Sequence, residues 1–107
     1  MQTSPENLPE QWPGPPLERK SAEDIARLLK VLADPTRLQM LSVVVGSSVG
    51  EVTVGELVEA LGLRQPTITH HVGILVDDGL LLREQRGRQV WLSIAPHRVA
   101  SVLDVLR

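Results

Sequence analysis

The chain has no cysteine, no phenylalanine and no tyrosine among its 107 residues, and its only aromatic rings besides histidine are Trp12 and Trp91. Without cysteine there is no disulfide, no thiolate metal site and no thiol redox switch. With so few aromatics the core has to be assembled from Leu, Val, Ile and Ala, which favours helices packed through aliphatic stripes. Long apolar runs are missing as well. Val43-Val44-Val45 and Leu80-Leu81-Leu82 fall far below the roughly 20 residues that a spanning helix needs. Met1-Gln2-Thr3-Ser4-Pro5-Glu6 offers neither the basic start nor the apolar stretch of a secretory signal, so the sequence reads as cytoplasmic with no membrane partner. No phosphate-cradling glycine loop, metal-ligand cluster or nucleophile paired with a base is present. The sequence therefore implies no cofactor and is not read as an enzyme.

Excess positive charge is also lacking, with 13 acidic residues against 11 basic ones. Taken as a total, that is the wrong sign for a polyanion binder, but the distribution differs from the total. Residues 1–63 carry five basic side chains (Arg19, Lys20, Arg27, Lys30, Arg37) against nine acidic ones, a net of −4. Residues 64–98 carry Arg64, Arg83, Arg86, Arg88 and Arg98 against Asp77, Asp78 and Glu84, a net of +2.

What is present reads as a tail and one domain. Pro5, Pro9, Pro13, Pro15 and Pro16 fall within residues 1–20 and deny that stretch its backbone donors, so it is expected to be a flexible tail containing Trp12. Residues 21–107 are of a length to fold around one core. Ser21 is expected to cap a first helix bearing Ile25, Leu28, Leu29 and Leu32 at helical spacing. Asp34-Pro35 restarts the pattern as cap and first helical residue, with Leu38, Leu41 and Val45 as the stripe of a second helix. After the Gly46–Gly50 loop, Val52 and Val54 alternate briefly in the manner of a short strand. Thr53-Val54-Gly55-Glu56 fits a capping box, and a third helix with Leu57, Val58 and Leu61 inward stops at Gly62.

The fourth helix shows Ile68, Val72, Leu75 and Val76 on one face and Pro66, Thr67, His70 and Gly73 on the other. Small polar side chains on an exposed helix, with Arg64 and Gln65 at its entrance, suit the major groove of a DNA duplex. Two strands follow, Leu80–Gln85 and Gln89–Ile94, joined by Arg86-Gly87-Arg88 as a wing. A last helix from about Pro96 aligns Val99, Val102, Leu103 and Leu106, an apolar stripe that needs a partner surface. The expected fold is thus mainly α with a small β-wing: five helices and a two-stranded antiparallel hairpin.

The string Leu32-Ala33-Asp34-Pro35-Thr36-Arg37-Leu38 is followed by Gly55-Glu56-Leu57, Leu61-Gly62-Leu63 and Gln65-Pro66-Thr67-Ile68-Thr69-His70-His71-Val72. Leu75, Gly79-Leu80-Leu81, the Arg86-Gly87-Arg88 turn and Trp91-Leu92-Ser93-Ile94 come after. Together they resemble the ArsR/SmtB family of arsenic- and metal-responsive repressors over about residues 21–107. The resemblance implies a winged helix-turn-helix that binds double-stranded DNA at a palindromic operator as a homodimer, with repression relieved by an effector. It adds Thr69 to the DNA-binding residues Arg64, Gln65, Thr67, His70, Arg86 and Arg88, and it places the dimer contact on the first and last helices, at Ile25, Leu28, Val99, Val102, Leu103 and Leu106.

Departures from the family bear on sensing. Where its thiolate sensors place a Cys-Val-Cys pattern, this chain has Thr53 and Gly55; where others place an Asp-x-His pair, it has Pro96 and Arg98, and the second histidine pair would fall beyond Arg107. Sulfide-responsive members use a cysteine pair. The expectation is therefore no standard metal site and an effector that the sequence does not identify. His70 and His71 are adjacent and point about 100 degrees apart on a helix, so they do not share a ligand position. Two other readings stay open. One is a winged-helix interaction module that does not bind DNA, favoured by Asp77 and Asp78 beside the fourth helix. The other is a metal sensor with a non-standard histidine and carboxylate site, for instance an intersubunit one using His97, while His97 and Asp104, two helical turns apart, are read as a solvated pair.

Overall fold

A computed structural model describes residues 14–107, so Trp12 and most of the proline-rich segment lie outside the described residues. Local signals set most element boundaries. The Asp34 carboxylate accepts from the Arg37 N–H at 2.9 Å and caps α2 (Pro35–Val45), with Pro35 in the first turn where a missing donor costs nothing. Thr53 caps α3 (Val54–Leu61), its hydroxyl oxygen accepting from the Glu56 N–H at 3.0 Å. The return half of the box takes another form, the Thr53 hydroxyl donating to the Glu56 carboxylate at 3.2 Å. Gly62 ends α3 at φ 66°, and its N–H returns to the Val58 carbonyl at 2.9 Å. That left-handed position is open to glycine at no steric cost.

Helix α1 (Arg19–Leu32) begins two residues before the expected Ser21 cap. The N-cap is Glu18, which makes no side-chain bond to the helix, and the helix reaches back towards Pro15 and Pro16, whose rings exclude them from a helix interior. At the other end of the chain the last helix is divided. Pro96–Arg98 forms a single 3₁₀ turn, and α5 proper is Val99–Leu106.

The sheet departs from the expected two-stranded hairpin. Strands β2 (Leu81–Arg86) and β3 (Gln89–Ile94) form the hairpin, with Gly87 at φ 60° in a two-residue turn. A third strand, β1 (Glu51–Thr53), pairs antiparallel on the far side of β3, with Val52 opposite Leu92 and Glu51 opposite Ser93, giving the order β1-β3-β2. The short strand expected at Val52 is present, although Val54 already opens α3, and its partner strand lies some forty positions away. Burial of Val52 against the core explains the pairing better than any propensity of β1 itself.

Helix α4 (Gln65–Asp77) buries Ile68, Val72 and Leu75 as its spacing predicts, against Leu57 of α3 and Leu92 of β3. On α2 the deepest positions are Met40, Leu41 and Val44, whereas Leu38 and Val45 are half-buried at the edge. Each such side chain removed from water contributes on the order of 2 kcal/mol before entropy is counted. Among the described residues no helix is long and apolar enough to cross a membrane.

Candidate nucleic-acid interface

The buried stripe of α4 determines what its other side presents. Gln65, Pro66, Thr67, Thr69 and His70 are all exposed, and Arg64 stands at the N-cap with its carbonyl accepting from the Thr67 and Ile68 N–H groups at 3.1 and 3.2 Å. Gln65 and Thr69 face the wing across an open hollow of about 380 Å³, with Arg83 and Arg88 on the opposite wall and Thr53, Val54 and Gly55 beneath. Gln65, Thr69 and Arg88, named from the sequence, are thus brought together; Thr67, His70 and Arg64 lie outside the hollow, on the solvent side of α4. Arg83 was counted only within the basic stretch. The β2–β3 register, which pairs it with Leu92, reveals its place on the helix side of the sheet.

The two arginines flanking Gly87 have different surroundings. Arg86 donates from its two terminal nitrogens to the two Glu51 carboxylate oxygens at 2.8 and 2.9 Å, and from Nε and one terminal nitrogen to the Glu84 carboxylate at 3.0 and 3.2 Å. Its guanidinium carbon sits 5.1 Å from the centre of the Trp91 ring. The hydrogen bonds to Glu51 and Glu84 raise the Arg86 pKa above its ordinary value, and the bond from Arg86 lowers that of Glu84. Arg88 makes no side-chain hydrogen bond or ion pair among the described residues.

Behind α4 lies a fixed polar junction. Arg37 donates from Nε to the Val31 carbonyl at 2.7 Å and from a terminal nitrogen to His71 Nδ1 at 3.2 Å. The bond requires Nδ1 to be the unprotonated nitrogen. Burial lowers the His71 pKa, the positive charges of Arg37 and His70 lower it further, and Asp34 opposes them. The Arg37 N–H bond lowers the pKa of Asp34. Arg37 and His71 thus join the α1–α2 corner to α4.

Away from the wing, α1 and α5 expose apolar side chains among charged ones. Ile25 and Leu29 of α1 and Val99 and Val105 of α5 are exposed, while Leu28, Leu103 and Leu106 are half-buried. Val102 differs from its expected place at a partner surface, because it turns into the chain's own core with 1% of its surface exposed. Leu29 and Val105 were not among the residues expected at that contact.

A family model described as a helix-turn-helix domain matches residues 32–84. The biofilm growth-associated repressor of Agrobacterium fabrum is 33% identical over 91 residues, covering 85% of this chain and 75% of the relative. The homodimeric winged helix-turn-helix DNA-binding domain of a possible ArsR-family transcriptional regulator from Mycobacterium bovis, solved by NMR, superposes with a TM-score of 0.68 at 27% identity, over 87% of this chain and 85% of that one. The chain belongs to the ArsR family. HlyU from Vibrio cholerae, with a TM-score of 0.72 at 30% identity over 84% of this chain and 94% of that one, has the same fold. This ArsR-family chain is accordingly a DNA-binding transcriptional regulator of the winged helix-turn-helix type, and not an enzyme.

Proposed function

We propose that this ArsR-family regulator acts in the cytoplasm as a homodimeric repressor, binding a palindromic operator with α4 in the major groove and the wing against the backbone or minor groove. The observation that carries the reading is the hollow between α4 and the wing, where Gln65 and Thr69 stand across from Arg83 and Arg88. Gln65 and Thr67, at the helix entrance, read base edges, supported by Thr69 and His70; Arg64 and Arg88 neutralise phosphates. Both DNA binding and dimerisation are assigned to residues 21–107, the second to Ile25, Leu28, Leu29, Val99, Val105 and the half-buried Leu103 and Leu106. A two-fold pair of α4 helices would read half-sites about one helical turn apart, or a multiple of that. The Agrobacterium relative, a repressor by name, and the homodimeric Mycobacterium bovis domain support the reading.

Purified protein incubated with genomic fragments should enrich a palindrome, and enrichment of nothing would overturn the proposal in favour of an interaction module. We also propose that sensing does not use the family's metal sites, because Thr53, Gly55, Pro96 and Arg98 offer no thiolate or imidazole there. Micromolar zinc, nickel or arsenite is expected to leave the protein–operator complex intact in a mobility-shift assay. Release of the duplex by any of them would refute this part.

A further inference from the structure

Read along the chain, Arg86 and Arg88 are two equivalent cations on either side of Gly87. In space they are not equivalent. A guanidinium has five N–H donors, and Arg86 makes four hydrogen bonds with them, two to Glu51 and two to Glu84, while its carbon lies 5.1 Å from the Trp91 ring centre. The group formed by Arg86, Glu51 and Glu84 has a formal charge of −1, so a phosphate would meet net repulsion there. A phosphate contact by Arg86 would first have to break a bidentate carboxylate pair, the strongest geometry open to an arginine. Arg88 has no such commitment among the described residues, and with Arg83 it borders the hollow that Gln65 and Thr69 border from α4.

Glu51 belongs to a different part of the fold from the wing. It opens β1 and stands two residues before Thr53, whose hydroxyl caps α3. The bond from Arg86 to Glu51 therefore crosses β3, joining the tip of the hairpin to the strand that leads into the helix-turn-helix. Trp91 of β3, paired with Glu84 and with Thr53 in register, lies under this bridge. The other ties at the outer end of the hairpin, the β2–β3 ladder and the 2.8 Å bond from Gln85 Nε2 to the Gly87 carbonyl, stay within the hairpin itself.

We infer that Arg86 is a positioning residue, a brace that fixes the wing relative to α3 and α4 so that Arg88 and Arg83 are held across from Gln65 and Thr69, and that it does not itself contact DNA. The inference rests on the DNA-binding reading for its consequence but not for the brace itself. Fixing the tip beforehand removes an ordering cost that binding would otherwise carry.

The test compares Arg86→Ala, Glu51→Gln and Arg88→Ala in the full chain, on the duplex recovered by genomic selection, across a salt series. Arg88→Ala is expected to reduce the slope of log K against log salt by about 0.9, the signature of one lost phosphate contact. Arg86→Ala and Glu51→Gln are both expected to weaken binding roughly 3- to 10-fold at unchanged slope, the size of a modest ordering cost. Glu51→Gln is the sharper probe, because it removes a negative charge. Simple electrostatics makes it bind tighter, whereas the brace makes it bind weaker. Amide hydrogen exchange in the free protein supplies a readout without DNA: residues 84–91 should exchange faster in Arg86→Ala and Glu51→Gln and stay unchanged in Arg88→Ala. A slope lost with Arg86→Ala, tighter binding by Glu51→Gln, or unchanged exchange would each overturn the inference. If wild-type protein recovers no duplex, the DNA-binding reading fails, and the exchange measurement still decides the brace.

Discussion

At one end of the molecule α4 and the wing expose Gln65, Thr67, Thr69, His70, Arg83 and Arg88; at the other, α1 and α5 expose Ile25, Leu29, Val99 and Val105. The first surface is comfortable in water, and on the proposed reading it trades its hydration reversibly for phosphates and base edges, with an affinity set by salt. The second gains only by being covered, and its gain scales with the apolar area removed from water. The polar end is also the better fixed within one chain, through the Thr53 cap, the Arg37–His71 junction and the Arg86–Glu51 bridge. Among the described residues no side-chain hydrogen bond joins α1 to α5. A difference of this kind suits a permanent contact between copies and a reversible contact with DNA.

The largest effect should come from breaking the apolar end. Ile25→Asp combined with Leu29→Asp is expected to give monomers by analytical ultracentrifugation and to cost at least about 100-fold in operator affinity, because two half-sites can then no longer be bound as one event. Both residues are exposed, so the fold should survive; a variant that stays dimeric removes this end from the contact. Next comes Gln65→Ala at the polar end. It should cost about 1–3 kcal/mol on the selected duplex and little on unrelated DNA, measured by competition, and a uniform loss would mean a backbone contact instead. Thr53→Ala should lower stability by about 1 kcal/mol through loss of the α3 cap, read from urea unfolding, with no change in oligomeric state.

The smallest effect concerns the Arg37–His71 junction behind α4. His71 has its pKa lowered by burial beside Arg37, so the folded chain takes up a proton less readily than the unfolded one. Stability should accordingly be flat above the ordinary histidine value of 6.5 and fall as the pH drops below it, levelling off once the folded value is passed. His71→Gln should flatten that part of a urea-midpoint profile. Asp34, also lowered, contributes stability above its ordinary value of 3.8 that is lost as the pH falls through the folded value, so the two groups act in separate windows.

The parts of this fold that depend on neighbours in sequence were legible without coordinates. The Asp34 and Thr53 caps, the Gly62 stop and the buried stripe of α4 all follow from residues within a turn or two of one another. What escaped depends on distant pairs. The short strand at Val52 was readable, but its place in the sheet depends on Val52 meeting Leu92, and Arg86 differs from Arg88 because of Glu51, 35 positions away along the chain. Val102 satisfies the α5 stripe equally well whether it faces a partner or its own core, and periodicity does not say which side of an apolar stripe is already covered.

The order β1-β3-β2 leaves the outer edges of β1 and β2 without a strand partner among the described residues, and unpaired strand edges are the usual route by which proteins join into fibres. Here one edge is only three residues long, and the other displays Arg83, Glu84 and Arg86, all exposed. A further strand would have to lie against alternating charge or find nothing long enough to pair with. Growth through the sheet is thereby discouraged, and the pairing of two copies proposed above is left to the helices.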